Sequence, residues 1–513
     1  MTEHFIQQNR RANLSTSLGM DVLVLLRFEG SEEMSASFEW RVEALSTHAD
    51  LDLNQILGTH ATVEIETIES VRHFDGIVSE AVWRGIGDNG HRYDLVLRPW
   101  LHVASLRRNQ RIFHNKNVQE ILDEIFNEYA ELGSPLYEFV LQSSYPTLEY
   151  TVQYGESDAA FAMRLMERFG LSWHFEHTPD NHKLVITDAA ESFGDVPGGS
   201  RPYFGVDRYH RADEEHFRSW KRTSRMRTGA VKLTEYNFKT PDADQLNLLA
   251  APELHDQSSR EAFEWPGDYL DKTTGEGVVE RRLEGEQHTR NMIHAMGDIA
   301  ALGPGLRISP TGDELPEATG LPFICTKANH RYTAQAYGTG AFGSTEEGYT
   351  GGYVLVPEDI PIRPATRTRR PIIHGPQTAM VVGEGEIDCD EFGRILVRFH
   401  WDLEDAYSMR CRVSQNWAGK GWGGMVIPRI GMEVVVEFLE GDPDKPLVTG
   451  CVYNGYNTVP YTLDTHKTRS TFKTDTHTGE GYNELRFEDQ KDLEEIFIQA
   501  QKYFNAYIKD NET

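Results

Sequence analysis

The sequence predicts a multidomain, mainly β architecture with some α-helix. Three observations carry this. Short apolar runs recur through the first hundred residues, each bounded by Gly, Asp or Asn. Two later stretches repeat apolar residues at helical spacing instead. Beyond a Pro- and Arg-rich segment at 360–376, five more strand candidates fall within about 80 residues. With 513 residues, and roughly 100–200 residues per domain, three or four domains are expected.

The first strand candidates are 22–28, 38–42, 63–65 and 93–97. Asp88, Asn89 and Gly90, between 81–83 and 93–97, have the chemistry of a hairpin turn. The run from Met20 to Leu26 is too short for a membrane span, is followed by Arg27, and reads as a buried strand. The polar first thirteen residues lack an apolar h-region, so no signal peptide is expected.

Asn117 and Glu120 form a capping box for the first helix. Its apolar stripe is Val118, Ile121, Leu122, Ile125, Phe126 and Tyr129, with Gly133 as the stop. The second helix spans about 158–169, with Phe161, Leu165, Met166 and Phe169 on one face and Gly170 at its end. Leu171, Trp173 and Phe175 then alternate as a strand, and 183–187 is another. The charged stretch 277–296 has some helical character. A Gly-, Thr- and Ser-rich cluster at 336–352 precedes the Pro- and Arg-rich segment, where the main domain boundary is expected.

The five later strands are 377–382, 394–401, 409–414, 432–439 and 447–453. Ile395, Val397, Phe399 and Trp401 alternate with Leu396, Arg398 and His400, as a half-buried strand requires. Gly441, Asp442, Pro443 and Asp444 make a turn, and the whole suits an OB-like barrel. In the tail, Leu485 and Phe487 alternate with charges, and so do Ile496, Ile498 and Ala500. A lone hairpin is marginal in water. This apolar face therefore calls for copies of the same chain.

The net charge of −29 argues against nucleic-acid binding. The four cysteines show no metal-ligand spacing, and Cys411 and Cys451 sit in apolar alternation, as reduced core residues do. No nucleophile elbow, zinc-protease motif or phosphate loop is present. The Gly-rich run 419–424 lacks the helix a phosphate loop needs. His174, Glu176 and His177 converge poorly for a metal on a single strand, with His177 pointing away from the other two. Glu156, Ser157 and Asp158 read as a helix cap. Trp417 and Trp422 would suit a sugar platform only on a shared flat face. No catalytic residue, metal or cofactor is expected. A cell-wall glycan hydrolase or glycan-binding module is the alternative of another class.

Four segments closely resemble VgrG proteins, the spikes of bacterial type VI secretion systems, themselves similar to contractile phage tail hubs and spikes. They are 371–382 (PIIHGPQTAMVV), 390–402 (DEFGRILVRFHWD), 412–419 (RVSQNWAG) and 422–454 (from WGGMVIPRIGMEVVVEF to GCVYN). Segments 100–126, 153–177, 264–269 and 483–500 agree. The resembling barrel motif includes Trp417, Trp422, Pro428, Arg429, Gly431, Phe438, Gly441, Asp442 and Pro443. The resemblance implies a tail hub-like region at 1–370 with β-barrel-like subdomains, an OB-fold barrel at 371–458, and a neck starting a trimeric β-prism at 459–513.

The resemblance further implies a non-catalytic homotrimer seated on the hexameric inner-tube ring among baseplate proteins. It would be assembled in the bacterial cytoplasm and then translocated with effector cargo. Leu485, Phe487, Ile496, Ile498 and Ala500 become trimer-interface candidates. A PAAR-repeat protein is the expected tip in such spikes. Only 56 residues follow Asn457, so the prism is expected to be short, without an effector domain and with little length to carry a tip contact. The nearest rival is the equivalent subunit of a phage tail or phage-like injection particle.

Overall fold

The computed structural model describes residues 5–87, 89–205, 214–253, 255–312, 314–315, 317–335, 337 and 348–510. The turn residue Asp88 and most of the 336–352 cluster lie outside them. The chain forms two compact units. One comprises 1–109, 117–147 and 156–370, and the other 110–116, 148–155 and 371–513. Two short pieces of the first 370 residues thus group with the barrel.

The larger unit is built on a twelve-stranded sheet. Its main path runs Ala12–Thr16, His60–Glu66, Val71–Gly87, Gly90–Arg98, Glu39–Ser46, Val24–Glu33, Phe323–Thr333, Gly348–Pro357, Asn291–Gly297 and Phe217–Ser224. Segments about 300 residues apart therefore meet in the middle of the sheet, where Val24–Glu33 pairs antiparallel with Phe323–Thr333. The hairpin around residue 88 forms, with Gly87 opposite Gly90. The Met20–Leu26 expectation shifts: the strand starts at Val24, and Met20 is exposed in a turn.

Alternation along these strands sends large aromatic side chains to one side. Phe28, Phe38, Trp40 and Phe74 are all buried, with neighbouring rings 4.7–5.5 Å apart. Such contacts add about 0.5–1.5 kcal/mol each beyond burial.

Both expected helices form. Val118–Asn127 has the Asn117–Glu120 capping box, and Val118, Ile121, Leu122, Ile125 and Phe126 are buried. Gly133 is not its stop. The helix ends at Asn127, a single 3-10 turn follows at Ala130–Leu132, and Gly133 has extended backbone (φ 175). Asp158–Phe169 is capped by Ser157, whose side chain accepts from the Ala160 N–H, and closes on Gly170 in the left-handed region. Stretch 277–296 divides: the helix is Lys272–Gln287, and Asn291–Gly297 is a strand. From Ile293 the strand alternates buried and less buried side chains, and the charges of the stretch lie before Asn291.

In the smaller unit, five strands form one sheet in the order Leu396–Phe399, Gln377–Val382, Glu433–Phe438, Pro446–Val452 and Arg412–Val413. Ala379, Val381, Ile395, Val397, Phe399, Val434, Val436 and Val448 fill the core, with Trp401 and Phe438 packed against it. The expected strand 409–414 shrinks to Arg412–Val413 plus an isolated bridge from Cys411 to Ile395. Cys411 is buried, but Cys451 is exposed, since Pro446–Val452 leaves the core near its end.

Segments 110–116 and 148–155 bring hydrogen bonds to the barrel. Asp444 accepts from the Thr151 hydroxyl (2.9 Å) and the Val152 N–H (2.7 Å). His114 Nε2 lies 3.0 Å from the carbonyls of Ala406 and Tyr407.

Candidate assembly surface

The tail folds as a three-stranded antiparallel sheet, Arg469–Lys473, Glu484–Glu488 and Glu495–Gln499. Alternation in the sequence predicts only the last two of these strands. The missed strand carries a single large apolar residue, Phe472, between polar neighbours. Register places Phe472 opposite Leu485, and Leu485 opposite Ile498; Phe487 faces Ile496. With a side-chain period of two, these five project from one face. Leu485, Phe487, Ile496 and Ile498 are 41–70% exposed in the single chain. Ala500 lies just beyond the last strand and is half-buried.

The opposite face is polar and largely hydrogen-bonded within the chain, although Glu484 Oε2 and Arg486 Nε lack a partner among the described residues. Arg486 donates to Glu495 (2.7 Å) and to the Tyr461 hydroxyl (3.0 Å), and stacks 4.2 Å from the Phe497 ring. Arg469 pairs with Glu488 (2.9 Å), and Thr471 donates to Glu484 (2.8 Å). Hydrogen bonds from Thr468 and Arg469 hold the Glu488 carboxyl down at about 2. One face is thus engaged by polar contacts within the chain while the other leaves apolar area in water. Tyr503, Phe504, Tyr507 and Ile508, in the irregular segment that follows, are exposed as well.

The barrel-motif residues are scattered over several jobs. Pro428 and Pro443 are buried, and Phe438 lies against the barrel core. Arg429 pairs with Glu386 and donates to the Asp475 carbonyl (2.7 Å). Gly431 and Gly441 hold positive φ (86° and 71°). At Gly441 a Cβ would meet Ile372 Cγ2 at 2.7 Å, so a side chain is excluded twice over. The Asp442 carboxylate accepts from the Asp444 N–H (3.0 Å), locking the turn that aims Asp444 at Thr151. Trp417 and Trp422 are more than half exposed, but their rings meet edge to face at 86° and 4.9 Å. They brace their own two-residue ladder (Ala418–Gly419 with Trp422–Gly423) and present no shared flat platform.

The 174–177 segment behaves differently from its strand-only reading. His174 and His177 are both buried, whereas Glu176 is exposed and pairs with Lys183 (2.9 Å). His177 belongs to a buried polar network that spacing did not reveal. In it, Glu32 accepts from Arg72 (2.9 Å) and lies 2.9 Å from His330 Nε2. Asp75 lies 2.7 Å from His60 Nδ1 and 2.8 Å from His182 Nδ1. The only sequence signal was a charged residue at inward-facing strand positions such as Glu32 and Asp75.

His60, Asp75 and His182 could in principle hold a metal. The hydrogen bonds argue otherwise. His182 Nε2 accepts from the Trp100 N–H (2.7 Å), which puts its proton on Nδ1, toward Asp75. His60 Nε2 faces the Leu132 carbonyl (3.0 Å) and must donate there. Metal on His182 Nδ1 would drive a proton onto Nε2, against the Trp100 N–H. The residues fit a hydrogen-bonded ion pair instead. Burial raises Asp75, but bonds from His182 and His60 outweigh this and hold it at about 2.

Comparison with known proteins agrees with this architecture, segment by segment. The family described as phage tail baseplate hub (GPD) matches 31–336. The type VI secretion system/phage-baseplate injector OB domain matches 377–453. The bacteriophage T4 gp5 C-terminal trimerisation domain matches 470–513, which contains the whole three-stranded tail sheet except Arg469. The type VI secretion system spike protein VgrG1b of Pseudomonas aeruginosa is 36% identical, over 99% of this chain and 69% of that protein. VgrG1a of the same organism is 35% identical, over 99% and 80%. The fold is similar to that of the E. coli c3393 protein, a type VI secretion component, with TM-score 0.63 at 18% identity over 86% of this chain and 99% of that one. This chain belongs to the VgrG family of type VI secretion system spike proteins.

Proposed function

We propose that this spike–hub subunit works as a homotrimer clamped by its tail sheet, and that its role is mechanical rather than catalytic. The observation that carries this is the exposed row of Phe472, Leu485, Phe487, Ile496 and Ile498 within the segment matching a trimerisation domain. Burial of such a side chain contributes about 1.5–3 kcal/mol. Three copies laid face to face would bury all three rows and cover sheet edges otherwise open to pairing. A closed prism of this kind resists unfolding under load, which is what a spike driven into an envelope requires.

In this reading the hub unit sits on the hexameric inner-tube ring, among baseplate proteins, and the tail carries the tip. A PAAR-repeat protein at that tip and effector cargo are further partners the reading includes. Assembly takes place in the bacterial cytoplasm, and export is through the type VI apparatus. Light scattering of the purified chain should give a mass near three times 58.4 kDa. A monomer of full stability at micromolar concentration would overturn the trimer.

A further inference from the structure

A cavity of about 340 Å³ opens in the larger unit between the end of the helix Lys272–Gln287, the strand Phe323–Thr333 and the segment 362–367. Its walls bring Arg225, Arg227, Lys327, Arg363 and Arg367 together against one carboxylate, Glu33. This runs against the character of a chain with net charge −29. We propose that the cavity binds a small oxyanion, a phosphate- or carboxylate-bearing molecule, through Arg225, Arg227 and His288.

Three of the five cations are already committed. Glu33 accepts from Lys327 (2.9 Å) and, at 3.4–3.5 Å, from Arg367. Arg363 donates to Glu284 (2.8 Å) and to the carbonyls of Asp188 (2.7 Å) and Gly170 (3.2 Å). Arg225 and Arg227 are different. Among the described residues neither has a carboxylate within ion-pair distance, and Nε of Arg227 is buried with no hydrogen-bond partner. A buried guanidinium N–H without an acceptor is costly, and an oxyanion is the acceptor its fork geometry fits best.

His288 adds a donor that the ligand itself would switch on. Its Nδ1 lies 2.8 Å from the Gly285 carbonyl and must carry a proton there, so Nε2 is left as the titrating nitrogen. Burial depresses His288, the Gly285 bond and Glu286 oppose this, and Arg367 and Arg227 depress it further. An anion beside Arg227 reverses the sign of that field and favours a proton on Nε2. The helix end accounts for a cation at His288, because its carbonyls point there. It does not account for Arg225 and Arg227, which come from the loop after Phe217–Ser224. Met34, Met292 and Ile362 back the site and keep its dielectric low.

The test is calorimetric titration of the full chain at low ionic strength with inorganic phosphate, with citrate, and with chloride at matched ionic strength. Saturable binding of phosphate or citrate, but not chloride, is expected. Phosphate alone assigns a phosphoryl ligand, and citrate alone a polycarboxylate. Arg225→Gln and Arg227→Gln should each weaken binding about tenfold or more, near 1.4 kcal/mol. Arg331→Gln, a charge loss outside the cavity, should not. Repeating the titration at pH 7 in buffers of different ionisation enthalpy should show proton uptake that His288→Gln abolishes. Circular dichroism of each variant controls for folding, and His288→Gln serves if an arginine variant fails to fold. No saturable anion binding, or binding unchanged in the arginine variants, overturns the proposal.

Discussion

At the scale of single residues, the hub core stores charge where a core normally stores hydrocarbon. Burial drives His174 and His182 down to about 4, and lowers His330 as well, against the pull of Glu32. Each unfolded histidine would take a proton near pH 6.5 that its folded counterpart refuses. Stability must therefore fall as pH drops from about 6.5 toward 4, by on the order of 2–3 kcal/mol each for His174 and His182. His60 opposes this: burial lowers it, but Asp75 raises it more, and its contribution is fully present below pH 6.5. Asp75, held at about 2, gives stability that is fully present above its ordinary value of 3.8 and is lost as pH falls from there through about 2. More rings are depressed than raised, so the urea midpoint should drop between pH 7.5 and 4.5. Among the described residues His174 Nδ1 has no hydrogen-bond partner, so His174→Gln should flatten that drop more than it lowers the midpoint at pH 7.5. A slope identical to wild type would remove His174 from the account.

Among secondary-structure elements, the barrel and the tail make opposite demands. The barrel turn is completed by the strand segment at 148–155. Asp444→Ala leaves the Val152 N–H and the Thr151 hydroxyl without their acceptor, at a cost of about 1–3 kcal/mol. Thermal unfolding of the barrel should register that loss, and no change would mean water replaces the carboxylate. In the tail, the polar face is engaged within the chain and the apolar face is not. Leu485→Asp with Phe487→Asp should therefore leave the circular dichroism spectrum intact and lower the mass in sedimentation. An unchanged mass would move the clamp elsewhere. The helices were legible because caps and apolar stripes are local. The missed strand Arg469–Lys473 was not, since its one large apolar residue, Phe472, gains meaning only beside Leu485.

For the molecule as a whole, assembly and stability should be one quantity. An obligate trimer exchanges exposed tail surface for shared core, so its melting temperature should rise with protein concentration. A concentration-independent melt together with a trimeric mass would place the decisive contacts in the hub. Strand alternation, the capping box at Asn117, the cap at Ser157, and the barrel motif determined the fold class and family from sequence alone. They did so because each is a pattern between near neighbours in the chain. Tertiary structure decided the rest. It joined 148–155 to a turn almost 300 residues away, and drew Glu32, Asp75, His177 and His330 into one buried network. Among the described residues it also left Arg225 and Arg227 on a cavity wall with no carboxylate within ion-pair distance. Those arrangements depend on which strands become neighbours in a sheet, and neither spacing nor composition contains that.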